Sequence, residues 1–289
     1  MPFRQKLVSW LVLVAVLENR ASQGAMMETG VCAIAIEDVW KSFDGGSSFA
    51  VRGVTLRIAR QEFVALIGTS GSGKTTLLKL INRLVEPTRG TVAVDGKPVA
   101  AADPVRLRRG IGYVFQGVGL FPHMTVAENI AVTLRLLEWD KAAIEARVDE
   151  MLDLVRLPRD LGSRLPATLS GGQGQRVGVA RALAAKPSIM LMDEPFGAVD
   201  PITRDALARD YRDLHETLGL TTLMVTHDVL EAVLLADRIA VMETGELVEC
   251  GPTQELLANA KRPSVRALMA MPRRQAERIG ALAANSAGP

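Results

Sequence analysis

Residues 63–76 read FVALIGTSGSGKTT, an apolar run that breaks into a glycine-rich loop and then into a lysine and two threonines. No other stretch constrains the fold as tightly. A short continuous run such as Phe63 to Ile67 suits a strand covered on both faces, as in a parallel sheet flanked by helices. Leu77 to Leu84 continues with helical spacing, so strand, loop and helix follow one another in the order that G-x-x-x-x-G-K-[ST] requires. In that arrangement Gly68, Thr69, Ser70, Gly71, Ser72 and Gly73 turn backbone N–H groups inward around phosphate oxygens at a helix N-terminus. Lys74 supplies a point charge for the β- and γ-phosphates, Thr75 a hard oxygen for Mg²⁺, and Thr76 closes the motif.

A second apolar run ends in two carboxylates: Ile189 to Pro195 is IMLMDEP. Its spacing predicts an interior parallel strand whose tip lies at the phosphate site, where open α/β sheets place their ligands. Asp193 is suited to holding Mg²⁺, directly or through water. Glu194, one residue further toward the open edge, is placed to polarise an attacking water. Pro195 and Gly197 stop the strand at once and argue against an ordinary solvated turn.

Between these motifs, Leu169 to Arg176 reads LSGGQGQR. Ser170, Gly171, Gly172 and Gln173 open a helical run to Ala185, so a hydroxyl and two permissive backbone positions form a second anion site at a helix N-terminus. One chain with one phosphate loop has no use for both sites.

The ordered set resembles the ATP-binding subunits of ABC transporters. That resemblance implies a P-loop ATPase with a RecA-like α/β core, an antiparallel β subdomain and a helical subdomain. It also implies a head-to-tail pair of chains in which Ser170 to Gln173 of one close over ATP and Mg²⁺ held by the other. Gln116 in GYVFQ resembles the glutamine that senses Mg²⁺ and the membrane partner. Asp200 in GAVD resembles the aspartate that crosses the dimer interface. His227 in LMVTHD resembles the histidine that contacts the γ-phosphate, although a lone histidine after a strand is more often structural. Phe43 in WKSF resembles the aromatic that stacks on adenine, with Trp40 and Phe49 close by as residues a core would also accept. Gly174 and Val199 depart from the glutamine and leucine usual in relatives. The glycine should cost the helix roughly 1 kcal/mol without removing a group that binds nucleotide.

Wording beyond these motifs narrows the resemblance. IGTSGSGKTTLLKLINRLVEP, GLFPHMTVAENI, RVGVARALAA and LMDEPFGAVDPITR look like the subunits that drive uptake of glycine betaine, choline, carnitine and similar quaternary amines, over about Ile34 to Met269. Residues 119–130 fall where such subunits receive the coupling helix of a transmembrane permease, and Thr125 with Glu128 also spells a capping box. The resemblance implies a permease, and indirectly a solute-binding protein, as partners at the cytoplasmic face of the membrane. An importer for an amino acid or a sulfonate shares every catalytic motif. A soluble ABC ATPase usually carries two cassettes or a long coiled coil.

A net charge of +2 gives no argument for nucleic acid, and Cys32 and Cys250 have no partner spacing, which reads as reduced thiols. No stretch reaches the ~18–20 apolar residues of a membrane span. Leu7 to Leu17, behind Arg4 and Lys6, imitates a signal peptide, but residues 1–30 read better as a surface helix or a leader from an early start, with Met26 or Met27 as alternative beginnings. The expected organisation is an ATP-binding domain over 31–255, with a helical subdomain at about 117–186. A closing helix over Gln254 to Met271 and a frayed end complete 256–289.

Overall fold

The computed structural model describes residues 32–197, 199–274 and 277. The expected leader over 1–30, the possible starts at Met26 and Met27, Ala198 and the end of the tail lie outside the described residues.

Two sheets share the molecule. Strands β1 (Cys32–Lys41), β2 (Val51–Ala59), β4 (Arg89–Val94) and β5 (Lys97–Pro98) form an antiparallel sheet in the order β2-β1-β4-β5. The second sheet contains β3 (Phe63–Gly68), β6 (Ile111–Val114), β7 (Ile189–Asp193), β8 (Thr221–Val225), β9 (Arg238–Glu243) and β10 (Glu246–Pro252), in the order β10-β9-β3-β8-β7-β6. All neighbours there are parallel except the edge pair β9 and β10.

Continuous apolar strands divide their side chains between two cores because successive residues point to opposite faces. Val64 and Leu66 of β3, Ile189 and Leu191 of β7, and Leu223 and Val225 of β8 face the antiparallel sheet and helix α1 (Lys74–Ile81). Phe63, Ala65 and Ile67, with Met190, Met192 and Met224, face the helical side. Burial on both faces explains why FVALI and IMLMD carry no polar alternation.

After α2 (Pro104–Arg109) and β6, the chain enters three longer helices, α3 (Val126–Leu136), α4 (Lys141–Leu154) and α5 (Gly171–Leu183). Thr125 and Glu128 form the expected capping box, and Asp140 caps α4 through the Ala143 N–H. The apolar face of α4 buries Val148, Met151 and Leu152 against the larger core. Helix α6 (Pro201–Leu218) then leads to β8, and α7 (Val229–Leu235) to β9.

One sequence expectation fails. The closing helix over Gln254 to Met271 is two helices, α8 (Thr253–Asn259) and α9 (Pro263–Met269), so the single C-terminal helix expected in 256–289 is corrected to a broken pair. Pro263 lacks the N–H that a continuous helix would use and sits at a first helical position instead. The preceding N–H groups of Lys261 and Arg262 are taken by the Glu249 carboxylate at 2.7 and 3.0 Å.

Candidate functional site

The site lies where β3 and β7 end. Gly68, Gly71 and Gly73 have φ of 152°, 78° and 96°. A Cβ on Gly68 would stand 2.1 Å from the Met242 carbonyl oxygen, and one on Gly73 2.1 Å from that of Ala50, so the path is open only to glycine. Thr69, Ser70 and Ser72 fill the turn between them, and α1 starts at Lys74, with Thr75 and Thr76 in its first turn. Its first N–H groups have no intrahelical partner and converge on the loop, a cradle that fits a phosphate. Lys74 Nζ donates to the carbonyls of Gly68 (2.9 Å) and Thr69 (2.8 Å) and to Ser72 Oγ (3.4 Å). Burial holds its pKa below the ordinary lysine value, against the pull of Glu194 and Asp193.

Thr75 Oγ1 donates to Asp193 Oδ1 at 2.9 Å, joining the loop to the tip of β7. Burial raises the Asp193 pKa, opposed by this bond and by Lys79. Among the described residues no group of three or more His, Cys, Asp or Glu could hold a metal by itself. A hydroxyl beside one carboxylate at the mouth of a phosphate cradle fits Mg²⁺, which takes one or two carboxylates and completes its shell from phosphates and water.

Glu194 leaves the strand in the left-handed region at φ 46°, while its N–H still donates to the Val225 carbonyl at 2.9 Å. The turn aims its carboxylate along the sheet edge. Gln116 Nε2 donates to Oε2 at 2.8 Å, and His227 Nδ1 lies 3.3 Å from Oε1. Each oxygen keeps a lone pair that a water can use. Residues from three strand ends thus meet on one acid: Gln116 follows β6, Glu194 follows β7 and His227 follows β8.

The other sequence candidates lie apart from this cluster. Ser170 caps α5 in a capping box with Gln173, at 2.9 and 3.3 Å, with Gly171 and Gly172 in the first turn. Among the described residues no hydrogen bond or ion pair joins Ser170 to Gln173 with the phosphate loop; Gly172 instead lies against Thr203, where an added Cβ would come within 2.5 Å of Cγ2. Asp200 caps α6 through the Thr203 N–H at 3.0 Å, and bonds from the Thr203 hydroxyl and N–H hold its carboxyl pKa low. Phe43 is 67% exposed with Lys41 Nζ 4.9 Å above its ring, whereas Trp40 and Phe49 pack edge to face at 5.4 Å. Of the three aromatics, Phe43 is the one that is mostly exposed.

Beside Gln116 an open groove of about 560 Å³ runs between β6 and the helices, lined in part by Arg108, Tyr113, Phe115, Phe121 and Arg181. Arg181 donates to the carbonyls of Gly119 (2.7 Å) and Val118 (3.1 Å) and lies 5.9 Å from the ring centroids of both Phe115 and Phe121. Sequence reasoning missed this arginine as an individual. Its signal was a cation in the otherwise small and apolar stretch VARALAA, at a position that the helix buries.

A largely parallel sheet, a glycine cradle with its lysine at the end of β3, and a carboxylate pair at the tip of β7, one strand removed across β8, define a P-loop nucleotide-binding protein. The chain belongs to the ABC transporter family, whose profile matches residues 51–197. It is 50% identical over 226 residues to the carnitine transport ATP-binding protein OpuCA of Listeria monocytogenes, covering 78% of this chain and 57% of that one. It is 47% identical over 221 residues to the glycine betaine uptake system ATP-binding protein YehX of Escherichia coli, covering 76% of this chain and 72% of that one. A sulfate/thiosulfate import ATP-binding protein, CysA 2 of Agrobacterium fabrum, is 48% identical over 225 residues, covering 77% and 64%. The chain thus spans less than two thirds of the length of several such relatives. Among solved structures, the dimeric ATP-binding cassette MJ0796 in a post-hydrolysis state with ADP and Pi superposes with a TM-score of 0.69 at 34% identity, covering 76% of this chain and 98% of that one. The fold is that of an ABC ATPase, and the ABC domain binds ATP.

Proposed function

We propose that this chain is the ATP-hydrolysing subunit of an importer, working as a head-to-tail pair that drives uptake of a quaternary-ammonium osmoprotectant through a separate permease. The observation that carries the ATPase reading is the Glu194 carboxylate, held between Gln116 and His227 one residue beyond the Asp193 that Thr75 bonds. Gly68 to Thr76 and Lys74 bind the phosphates, and Phe43 stacks on adenine. Thr75, Asp193 and Gln116 would hold Mg²⁺, which would supply Lewis-acid stabilisation of phosphate charge. Glu194 orients a water and accepts its proton, and His227 lies on the same acid to contact the γ-phosphate. Ser170, Gly171, Gly172 and Gln173 of one chain, with Asp200, close the site of the other.

The groove beside Gln116 suits a short helix from a permease at the cytoplasmic face of the membrane. Phe115 of its aromatic floor directly precedes Gln116, the glutamine that bonds Glu194, so docking and hydrolysis share a segment. Among the described residues no helix is long and apolar enough to cross a membrane. For the solute, similarity to OpuCA and YehX supports a quaternary amine, with a solute-binding protein delivering it.

Gene deletion should reduce accumulation of labelled glycine betaine, choline or carnitine at high salt, with rescue by wild type and not by Glu194→Gln. Unchanged uptake of all three, alongside lost uptake of sulfate, a sulfonate or an amino acid, would overturn the solute class.

A further inference from the structure

Arg204 sits in the first turn of α6, where a cation opposes the helix dipole, and so its place is not explained by helix stability. Its guanidinium is engaged elsewhere. Nε donates to the Phe196 carbonyl at 3.2 Å, Nη2 to the Val199 carbonyl at 3.4 Å, and Nη1 to Asp228 Oδ2 at 3.4 Å. Phe196 lies two residues after Glu194, Val199 directly before Asp200, and Asp228 directly after His227. One planar fork therefore touches all three segments that flank these side chains.

The far end of the fork is itself built in. Asp228 Oδ1 caps α7 by accepting from the N–H groups of Leu230 and Glu231 at 2.9 and 3.2 Å, while its own N–H donates to Thr226 Oγ1 at 3.0 Å. Glu231 is buried behind this turn, where burial pushes its carboxyl up to about 7 despite a bond to Thr226 and the nearby Arg204. The α7 N-terminus is thus a stiff block, and Arg204 is the cation that ties it to α6.

We infer that Arg204 is a positioning residue for hydrolysis: it locks the His227 turn to the loop that carries Asp200, so that a displacement of that loop reaches the Glu194–His227 pair. The inference rests on the ATPase reading above. It requires no contact between Arg204 and nucleotide, because its three partners are two carbonyls and a carboxylate of this chain. Removing the fork should disturb alignment of the reacting groups and leave the phosphate loop untouched, and misplacement of about 1 Å near the chemistry costs about 100-fold.

The test is steady-state MgATP turnover of the full chain for Arg204→Met, Arg204→Lys, Asp228→Asn and His227→Ala, with wild type and Glu194→Gln in parallel. Asp228→Asn keeps a helix-capping side chain but loses the charge. The expected result is a kcat lower by about 10- to 100-fold for Arg204→Met with KM for ATP within about twofold, and partial recovery by lysine. In the His227→Ala background Arg204→Met should cost less than about threefold more, because one acts through the other. A kcat within twofold of wild type for Asp228→Asn and for any folded Arg204→Met, or full multiplication of the His227→Ala and Arg204→Met losses, overturns the inference. An inactive wild type, or a Glu194→Gln variant that turns over normally, overturns the ATPase reading instead.

Discussion

At the scale of single residues, backbone geometry and burial decide more than charge. Gly73 combines φ of 96° with a position where a Cβ would meet the Ala50 carbonyl at 2.1 Å. Gly73→Ala should therefore displace the loop and weaken MgATP binding by about 10-fold or more, since the left-handed region alone costs an L-residue about 1–2 kcal/mol. A fluorescent-nucleotide titration reads this directly. His215 is a contrasting case, buried in α6 with Nδ1 3.0 Å from Thr222 Oγ1 and the Phe63 ring centroid at 5.1 Å. Burial, with Arg212 nearby, pushes its pKa down to about 4 from 6.5. The unfolded chain then binds a proton that the folded one refuses, so stability present at pH 7 is lost as pH falls from 6.5 through 4. The span amounts to about 3 kcal/mol for this group. Urea unfolding at pH 7 and pH 5 should show the loss in wild type and a smaller one in His215→Gln.

At the scale of elements, the helical segment is fastened by a buried cation at a helix end. Arg147 of α4 donates through Nε to the Ala184 carbonyl at 2.9 Å and through Nη2 to the Leu183 carbonyl at 3.0 Å, which also accepts from the Lys186 N–H, so the guanidinium closes the end of α5. The same α5 carries Ser170 and Gln173 at its other end. Arg147→Met should cost about 1–3 kcal/mol, because the Ala184 carbonyl loses its charged donor and the thioether offers none, while the Leu183 carbonyl keeps the Lys186 N–H. A lower urea midpoint with an unchanged slope would show this; an unaltered midpoint would mean that water replaces the guanidinium.

At the scale of the whole molecule, among the described residues no hydrogen bond or ion pair joins the phosphate loop to the Ser170 turn, and the remaining predictions follow from the proposed pairing of two chains. Glu194→Gln should retain nucleotide binding, lose nearly all turnover and accumulate as an MgATP-dependent dimer in size-exclusion chromatography. Lys74→Ala should weaken binding in the monomer. Ser170→Arg should leave monomer affinity intact and prevent dimerisation, because it places bulk at the α5 N-terminus. Equal loss of affinity in Lys74→Ala and Ser170→Arg would contradict a shared site.

What was legible in the sequence was local. The loop from Gly68 to Thr76 can be read because glycine placement and a following helix fix the backbone within nine residues. The box at Thr125 and Glu128 and the cap at Ser170 are likewise set by neighbours three positions apart. Apolar runs gave β3 and β7 as buried strands, but they could not say which alternate residues faced which core, since both faces are covered. Tertiary structure decided the rest. Pro263 already spells the break in the closing helix, and the fold gave the N–H groups of Lys261 and Arg262 ahead of it the carboxylate of Glu249, which stands 12 and 13 positions earlier in sequence. It turned Glu194 into the left-handed region and brought Gln116 to it across 78 positions, as it brought Thr75 to Asp193 across 118. Residue type names the chemistry a side chain can perform, whereas strand order and register decide which partners it meets, and only the folded sheet carries that information.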